Sequence, residues 1–164
     1  MTESTLTPSR LWRRMTADQR TRAARAFWAD EQAGDDQVQA VMLIAQQKKF
    51  RPKFILGLDD ERRAKHLAGM VALPEALAAR CLVVYHLTEQ REMMGAFLDA
   101  LGLKHENGLI EDDDAKPEAA KLGVAVEAIA AKYPAEDVSL YLTTLLCQDP
   151  ETWGELGGLP QIMS

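Results

Sequence analysis

From Glu75 to Leu87 the chain reads EALAARCLVVYHL, and its apolar residues Leu77, Cys81, Leu82, Val83, Val84, Tyr85 and Leu87 fall on nearly every side of a helical wheel. Pro74 precedes the run, as suits the opening of a helix. A helix that is apolar all round has no face to turn to water, so it belongs in the middle of a fold. The run CLVVY has the composition of a strand, but its flanks, PEALAAR and HLTEQREMM, keep helical propensity. The remaining segments therefore have to surround this helix, and their hydrophobic spacing predicts amphipathic helices almost throughout.

Leu11, Trp12 and Met15 mark a short first helix with Arg10, Arg13 and Arg14 facing elsewhere. Thr16 and Gln19 have the spacing of a capping box, which opens a helix carrying Ala23, Ala24, Phe27 and Trp28 and closed by Gly34. Asp35 or Asp36 is expected to cap the next helix, with Val38, Val41, Met42 and Ala45 on its buried face. Pro52 interrupts the pattern, and FILGL at 54–58 reads equally as a helical turn or a packed connector. Asp59, Asp60 and Glu61 open another helix in the order the helix dipole favours, with a stripe of Ala64, Leu67, Ala68 and Val71. Met93, Met94, Phe97, Leu98 and Leu101 form a later stripe ended by Gly102, and Leu122, Val126, Ile129 and Tyr133 another. Val138, Tyr141, Leu142, Leu145 and Leu146 follow Pro134, and Asp149-Pro150 caps a last short helix with Trp153 and Leu156.

The expected fold is all-α, a compact bundle of about seven to nine helices with no convincing strand pair. PEA at 74–76 recurs at 117–119, each time ahead of an apolar helix. That spacing lies in the range of HEAT-type repeats, so a short HEAT-like helical-hairpin array is the alternative. The 164 residues suit one domain over 1–160 with a loose tail at 161–164.

Charge is uneven along the chain. Residues 1–66 hold 13 Lys/Arg against 9 Asp/Glu, whereas residues 67–164 hold 6 against 16, within a net charge of −6. Such asymmetry either steers partners, including head-to-tail copies, or is neutralised within the fold. Cys81 and Cys147 sit in separate apolar runs with no CxxC or Cys/His cluster, which predicts reduced, buried thiols and no zinc. The first fifteen residues lack the apolar core of a secretory signal, and no run is long enough to span a membrane. A cytoplasmic location and no membrane association are therefore expected.

The stretch LKHENGLIEDDD at 103–114 crowds His105, Glu106, Asn107-Gly108 and four acids together. Asn-Gly is a turn pair, and Asp112, Asp113 and Asp114 suit a helix start near Pro117. The spacing is not that of a calcium loop. His105 and Glu106 remain as candidates for a pocket shared with His86 and Glu89, in which a carboxylate would orient an imidazole for acid–base work. His-x-x-Glu occurs once and reverses the di-iron order. His66, beside Arg62, is expected in solvent. No phosphate loop, nucleophile elbow or HExxH is present, so no cofactor or metal is expected.

Two surface readings remain. Arg10, Arg13, Arg14, Arg20, Arg22 and Arg25 with Trp12 and Trp28 would serve nucleic acid only if gathered on one face. In an acidic chain, with Asp18 placed to pair with Arg22, that reading is the weaker. Trp12, Met42, Met93, Met94 and Trp153 suit either the core or adaptable contact with another protein. The leading expectation is a helical protein-interaction or regulatory module, with a protein partner or a further copy of itself as its ligand, without a built-in reaction centre. An enzyme or small-molecule binder with a pocket around His86 and His105 is the second. Nucleic-acid binding through the arginine-rich front is the third.

Overall fold

The all-round apolar segment is a helix, α6 (Glu75–Glu89), and it is the axis of the first of two compact units, Thr7–Glu89. The computed structural model describes residues 6–106, 108–111 and 115–163. Among them the architecture is all-α, with ten α-helices and one two-stranded sheet of two residues per strand. None of these helices is long and apolar enough to cross a membrane.

In the first unit α1 (Pro8–Arg14), α2 (Ala17–Ala29) and α3 (Gly34–Lys48) all touch α6, and α5 (Asp60–Ala68) lies along α2. Trp12, Phe27, Leu67, Leu77, Leu82 and Tyr85 are fully buried there. Each such side chain contributes roughly 1.5–3 kcal/mol relative to exposure in water. The Trp12 indole donates to the Met70 carbonyl at 2.8 Å, which satisfies the one polar atom of a buried ring. The capping box is present at both halves: the Thr16 hydroxyl accepts from the Gln19 amide at 3.0 Å, and the Gln19 side chain accepts from the Thr16 amide at 2.9 Å.

Several expectations change here. Gly34 does not close α2 but is the first residue of α3, in helical conformation. Helix α2 stops at Ala29 because Asp30 turns extended, and the Gln37 amide donates to the carbonyls of Phe27, Trp28 and Asp30. Asp35 and Asp36 lie in the first turn of α3 rather than at its cap, and Asp36 pairs with Arg80 at 2.8 Å. The buried face of α3 is Ala40, Val41, Ile44 and Ala45, leaving Val38 63% and Met42 54% exposed. On α5, Gly69 ends the helix before Val71, which is exposed, while Met70 and Leu73 enter the core. The ambiguous FILGL run contributes a tenth helix, α4 (Pro52–Leu56), with proline at its first position.

The second unit comprises Gln90–Ser164. Here α7 (Arg91–Ala100) packs on α8 (Ala119–Ala130), and α9 (Ala135–Gln148) carries α10 (Pro150–Trp153) and a closing 3-10 turn at Gly154–Gly158. Phe97 meets Tyr141 edge to face at 5.6 Å and lies tilted against Trp153 at 5.9 Å. Gly102 ends the α7 region with φ +73°, as a helix-terminating glycine does. Asp149 caps α10 as expected, its carboxylate accepting from the Thr152 amide. A minimal antiparallel pair, β1 (His105–Glu106) and β2 (Leu109–Ile110), replaces the expected plain loop, with His105 opposite Ile110 and Glu106 opposite Leu109. The cap expected at Asp112, Asp113 or Asp114 lies outside the described residues; the N-cap position of α8 is held by Glu118, whose side chain makes no cap bond. Near the C-terminus, Gln161 and Met163 are tied to α9 through Ser139 and Thr143.

Candidate functional site

His105 is the best-positioned imidazole in the chain. Its Nδ1 accepts the Gly108 N–H at 3.1 Å, so the proton of the neutral ring sits on Nε2, which donates to Asp99 Oδ1 at 2.7 Å. The hairpin places the ring against the side of α7 where Gly95 stands. A Cβ at Gly95 would lie 3.1 Å from His105 Cε1, so the small residue permits the approach. Gly108 is constrained more strongly, with φ +90° and a notional Cβ only 2.8 Å from Met94 Cβ. Both ring nitrogens are thus engaged within the unit. A general base needs a free lone pair aimed at its substrate, and here that lone pair holds a turn.

Beside His105 lies an open depression of about 370 Å³ that also touches Glu92, Asp99, Lys132 and Tyr133. Lys132 Nζ is 3.6 Å from Glu92 Oε1. Burial pushes the Tyr133 phenol above its ordinary value, and the nearby Glu92 carboxylate pushes the same way. The phenol oxygen is shielded from solvent and has no partner in hydrogen-bond geometry. Glu106 is exposed on the hairpin.

His86 belongs to the other unit. It is buried on α6, where its Nδ1 donates to the Leu82 carbonyl at 2.8 Å and its ring meets Tyr85 edge to face. Glu89 is exposed at the last position of α6. The pair His86/Glu89 and the pair His105/Glu106 therefore belong to different compact units. Among the described residues, no three His, Cys, Asp or Glu side chains gather as a metal site would require. Burial pushes the Cys81 thiol up to about 12, which keeps it protonated and unreactive. Cys147 is half-buried.

The surface candidates separate sharply. Trp12, Met93 and Met94 are buried, at 0%, 0% and 7% exposure, so they fill the cores of their own units rather than a contact surface. Trp153 is buried likewise, against Phe97. Arg10, Arg13 and Arg14 are exposed, and Arg20, Arg22 and Arg25 are engaged within the unit. Arg20 donates to the Met15 carbonyl, Arg22 pairs with Asp18 at 2.9 Å, and Arg25 grips Glu61 through two nitrogens. Arg63 lies over the Trp28 ring at 5.4 Å.

A further candidate surface lies in QKKFRPKFIL, at 47–56. Helix α3 ends at Lys48, and Lys49 adopts the left-handed conformation, φ 59° and ψ 35°. The Phe50 N–H then bonds back to the Ala45 carbonyl at 2.9 Å, the closure of a helix terminus that usually uses glycine. Arg51 is extended, as a residue before proline prefers, and Pro52 starts α4. The result brings Phe50 and Phe54 together at 4.9 Å, and Phe50 meets His66 edge to face at 5.9 Å. His66 is therefore half-buried rather than in open solvent. Phe50 and Phe54 remain 39% and 52% exposed. Lys48, Lys49, Arg51 and Lys53 flank them in the chain, all exposed and none in an ion pair among the described residues. The signal in the sequence was a cation–aromatic alternation across a proline, which periodicity alone reads only as a helix break.

No family model matches this chain, and neither the curated proteins nor the solved structures contain a significant match to it. The functional reading rests on the geometry alone.

Proposed function

We propose that this protein is a helical interaction module that binds another protein through the α3–α4 side of its N-terminal unit. One observation carries the reading. Of the eight large apolar side chains left exposed among the described residues, Val38, Met42, Phe50, Phe54 and Leu56 fall within this one helical pair. Single exposed apolar residues are normal, but the Phe50–Phe54 pair is in ring contact while still exposed, and contiguous exposed apolar area is the usual mark of a contact surface. The four neighbouring cations, in no ion pair among the described residues, give that surface a charge to match. The His105 cluster supports an enzyme reading less well, because both of its ring nitrogens are already used.

The test is affinity capture from a lysate of the source organism with wild type and a Phe50→Ser/Phe54→Ser variant, each with and without nuclease. A partner that survives nuclease and is lost with the variant is the expected result. Capture that vanishes with nuclease transfers the function to nucleic acid. Capture indifferent to the variant removes the α3–α4 surface from the account.

A further inference from the structure

Resting on the interaction reading, we infer that the occupant of the Lys48–Phe54 surface is an acidic protein segment carrying apolar anchor side chains. Four positive charges lie within six positions, and no acid in the described structure neutralises any of them. Elsewhere in the same unit Arg22 pairs with Asp18, Arg25 with Glu61, Arg63 with Asp60 and Arg80 with Asp36, and the 48–53 stretch differs from the exposed Arg13 and Arg14 in holding its cations beside two exposed phenylalanines.

The apolar half of the site is preformed. The left-handed Lys49 turns the chain, the Phe50–Ala45 bond fixes the turn, and Pro52 fixes the restart. A non-glycine residue in that conformation costs about 1 kcal/mol, and such strain persists where the surrounding structure holds it and often marks a binding segment. A surface already in its binding shape loses less entropy when a partner arrives.

The ring geometry favours a protein over a nucleic acid. Nucleobases stack on free aromatic faces, but the Phe50 and Phe54 planes are tilted 52° against each other and Phe50 is further engaged by His66. Two tilted, partly exposed rings offer apolar area without a flat platform, which suits a leucine or phenylalanine side chain. The surrounding cations then select carboxylates and raise the association rate.

The experiment uses the full chain and a labelled synthetic peptide of Asp and Glu residues with Leu and Phe at i and i+4, read by fluorescence anisotropy. Polyglutamate of equal charge, single-stranded oligodeoxythymidine and phosphatidylserine vesicles are the comparison arms. The expected result is binding of the mixed peptide at least about tenfold tighter than polyglutamate, weakening with salt. Phe50→Ala/Phe54→Ala and Lys48→Glu/Arg51→Glu should each weaken it about tenfold or more, while Lys121→Glu leaves it unchanged. Circular dichroism and thermal melting of the variants check that these exposed changes leave the fold intact. No binding of the mixed peptide overturns the inference, as does equal binding of polyglutamate. Tighter binding of the oligonucleotide or the vesicles, with the same sensitivity to the variants, overturns it in favour of that surface. If lysate capture depends on Phe50 and Phe54 but the peptide fails, only the acidic occupant is lost. If neither depends on them, the interaction reading falls too.

Discussion

The polar residues around His105 and those around Phe50 differ in where their demands are met. In the C-terminal unit, His105 uses one nitrogen on Gly108 and the other on Asp99, and the turn, the ring and α7 hold one another. In the N-terminal unit, Lys48, Lys49, Arg51 and Lys53 meet no acid among the described residues, and the rings between them stay open to water. The two units also differ in charge: residues 7–89 carry 14 Lys/Arg against 10 Asp/Glu, and residues 90–164 carry 5 against 14. A histidine beside a carboxylate attracts attention as chemistry, yet here its hydrogen bonds are consumed by the fold. Groups whose charge or apolar area the fold leaves unmatched are the better guide to what a partner touches.

The sharpest way to break this contrast is at Gly108. Gly108→Ala adds a Cβ 2.8 Å from Met94 Cβ at a φ of +90°. It should cost roughly 2–4 kcal/mol, with faster hydrogen exchange across α7 and the hairpin. Unchanged exchange there would mean that the turn is not fastened as described. Next comes His105→Phe, which keeps a ring but strands the buried Gly108 N–H; a loss of about 1–3 kcal/mol is expected in urea denaturation. Asp99→Ala should cost less, below about 1 kcal/mol, because Asp99 is 74% exposed and water can replace it. Equal losses for the two variants would point to the carboxylate, not the turn, as the reason for the histidine.

A change of opposite sign is expected in the N-terminal unit. Lys49→Gly relieves the left-handed conformation and should raise stability by about 0.5–1 kcal/mol, while removing one of the four cations and weakening the acidic peptide. A melting temperature that falls would show that Lys49 holds its conformation without strain. The smallest effect is expected at the exposed Arg25–Glu61 pair. The hydrogen bond from Arg25 holds the Glu61 carboxyl below the usual glutamate value. A carboxylate lowered in the folded state adds stability above its unfolded value and loses it as pH falls through the folded one. The difference between wild type and Glu61→Gln should therefore be slight at neutral pH, shrink in acid and shrink in salt. A difference that grew in acid would contradict the pairing.

The helices with one clean apolar stripe were legible in advance. Met93, Phe97 and Leu98 on α7, and Leu122, Val126 and Ile129 on α8, face inward as their spacing requires. The spacing on α3 fits two overlapping frames that share Val41 and Ala45, and the structure buries the one with Ala40 and Ile44. The frame that won places Gln37 toward the end of α2, where its amide caps three carbonyls. A polar residue on the inward side conceals the buried face from a count of apolar residues. The Phe50–Phe54 corner was hidden for a different reason, since it depends on a backbone turn at Lys49 that residue type disfavours.

By itself, the sequence determined the all-α class, the central place of the Glu75–Glu89 helix within its unit, the Thr16 capping box and the stops at Gly102 and Asp149-Pro150. Each of these follows from interactions within about one helical turn or from a hydrophobic period that leaves one solution. Only the tertiary structure decided which face of α3 is buried, that His105 fastens a hairpin, and that Trp12, Met93 and Met94 lie inside while Phe50 and Phe54 lie outside. Those outcomes depend on which distant carbonyl, glycine or charge arrives beside a side chain, and no local pattern encodes that arrival.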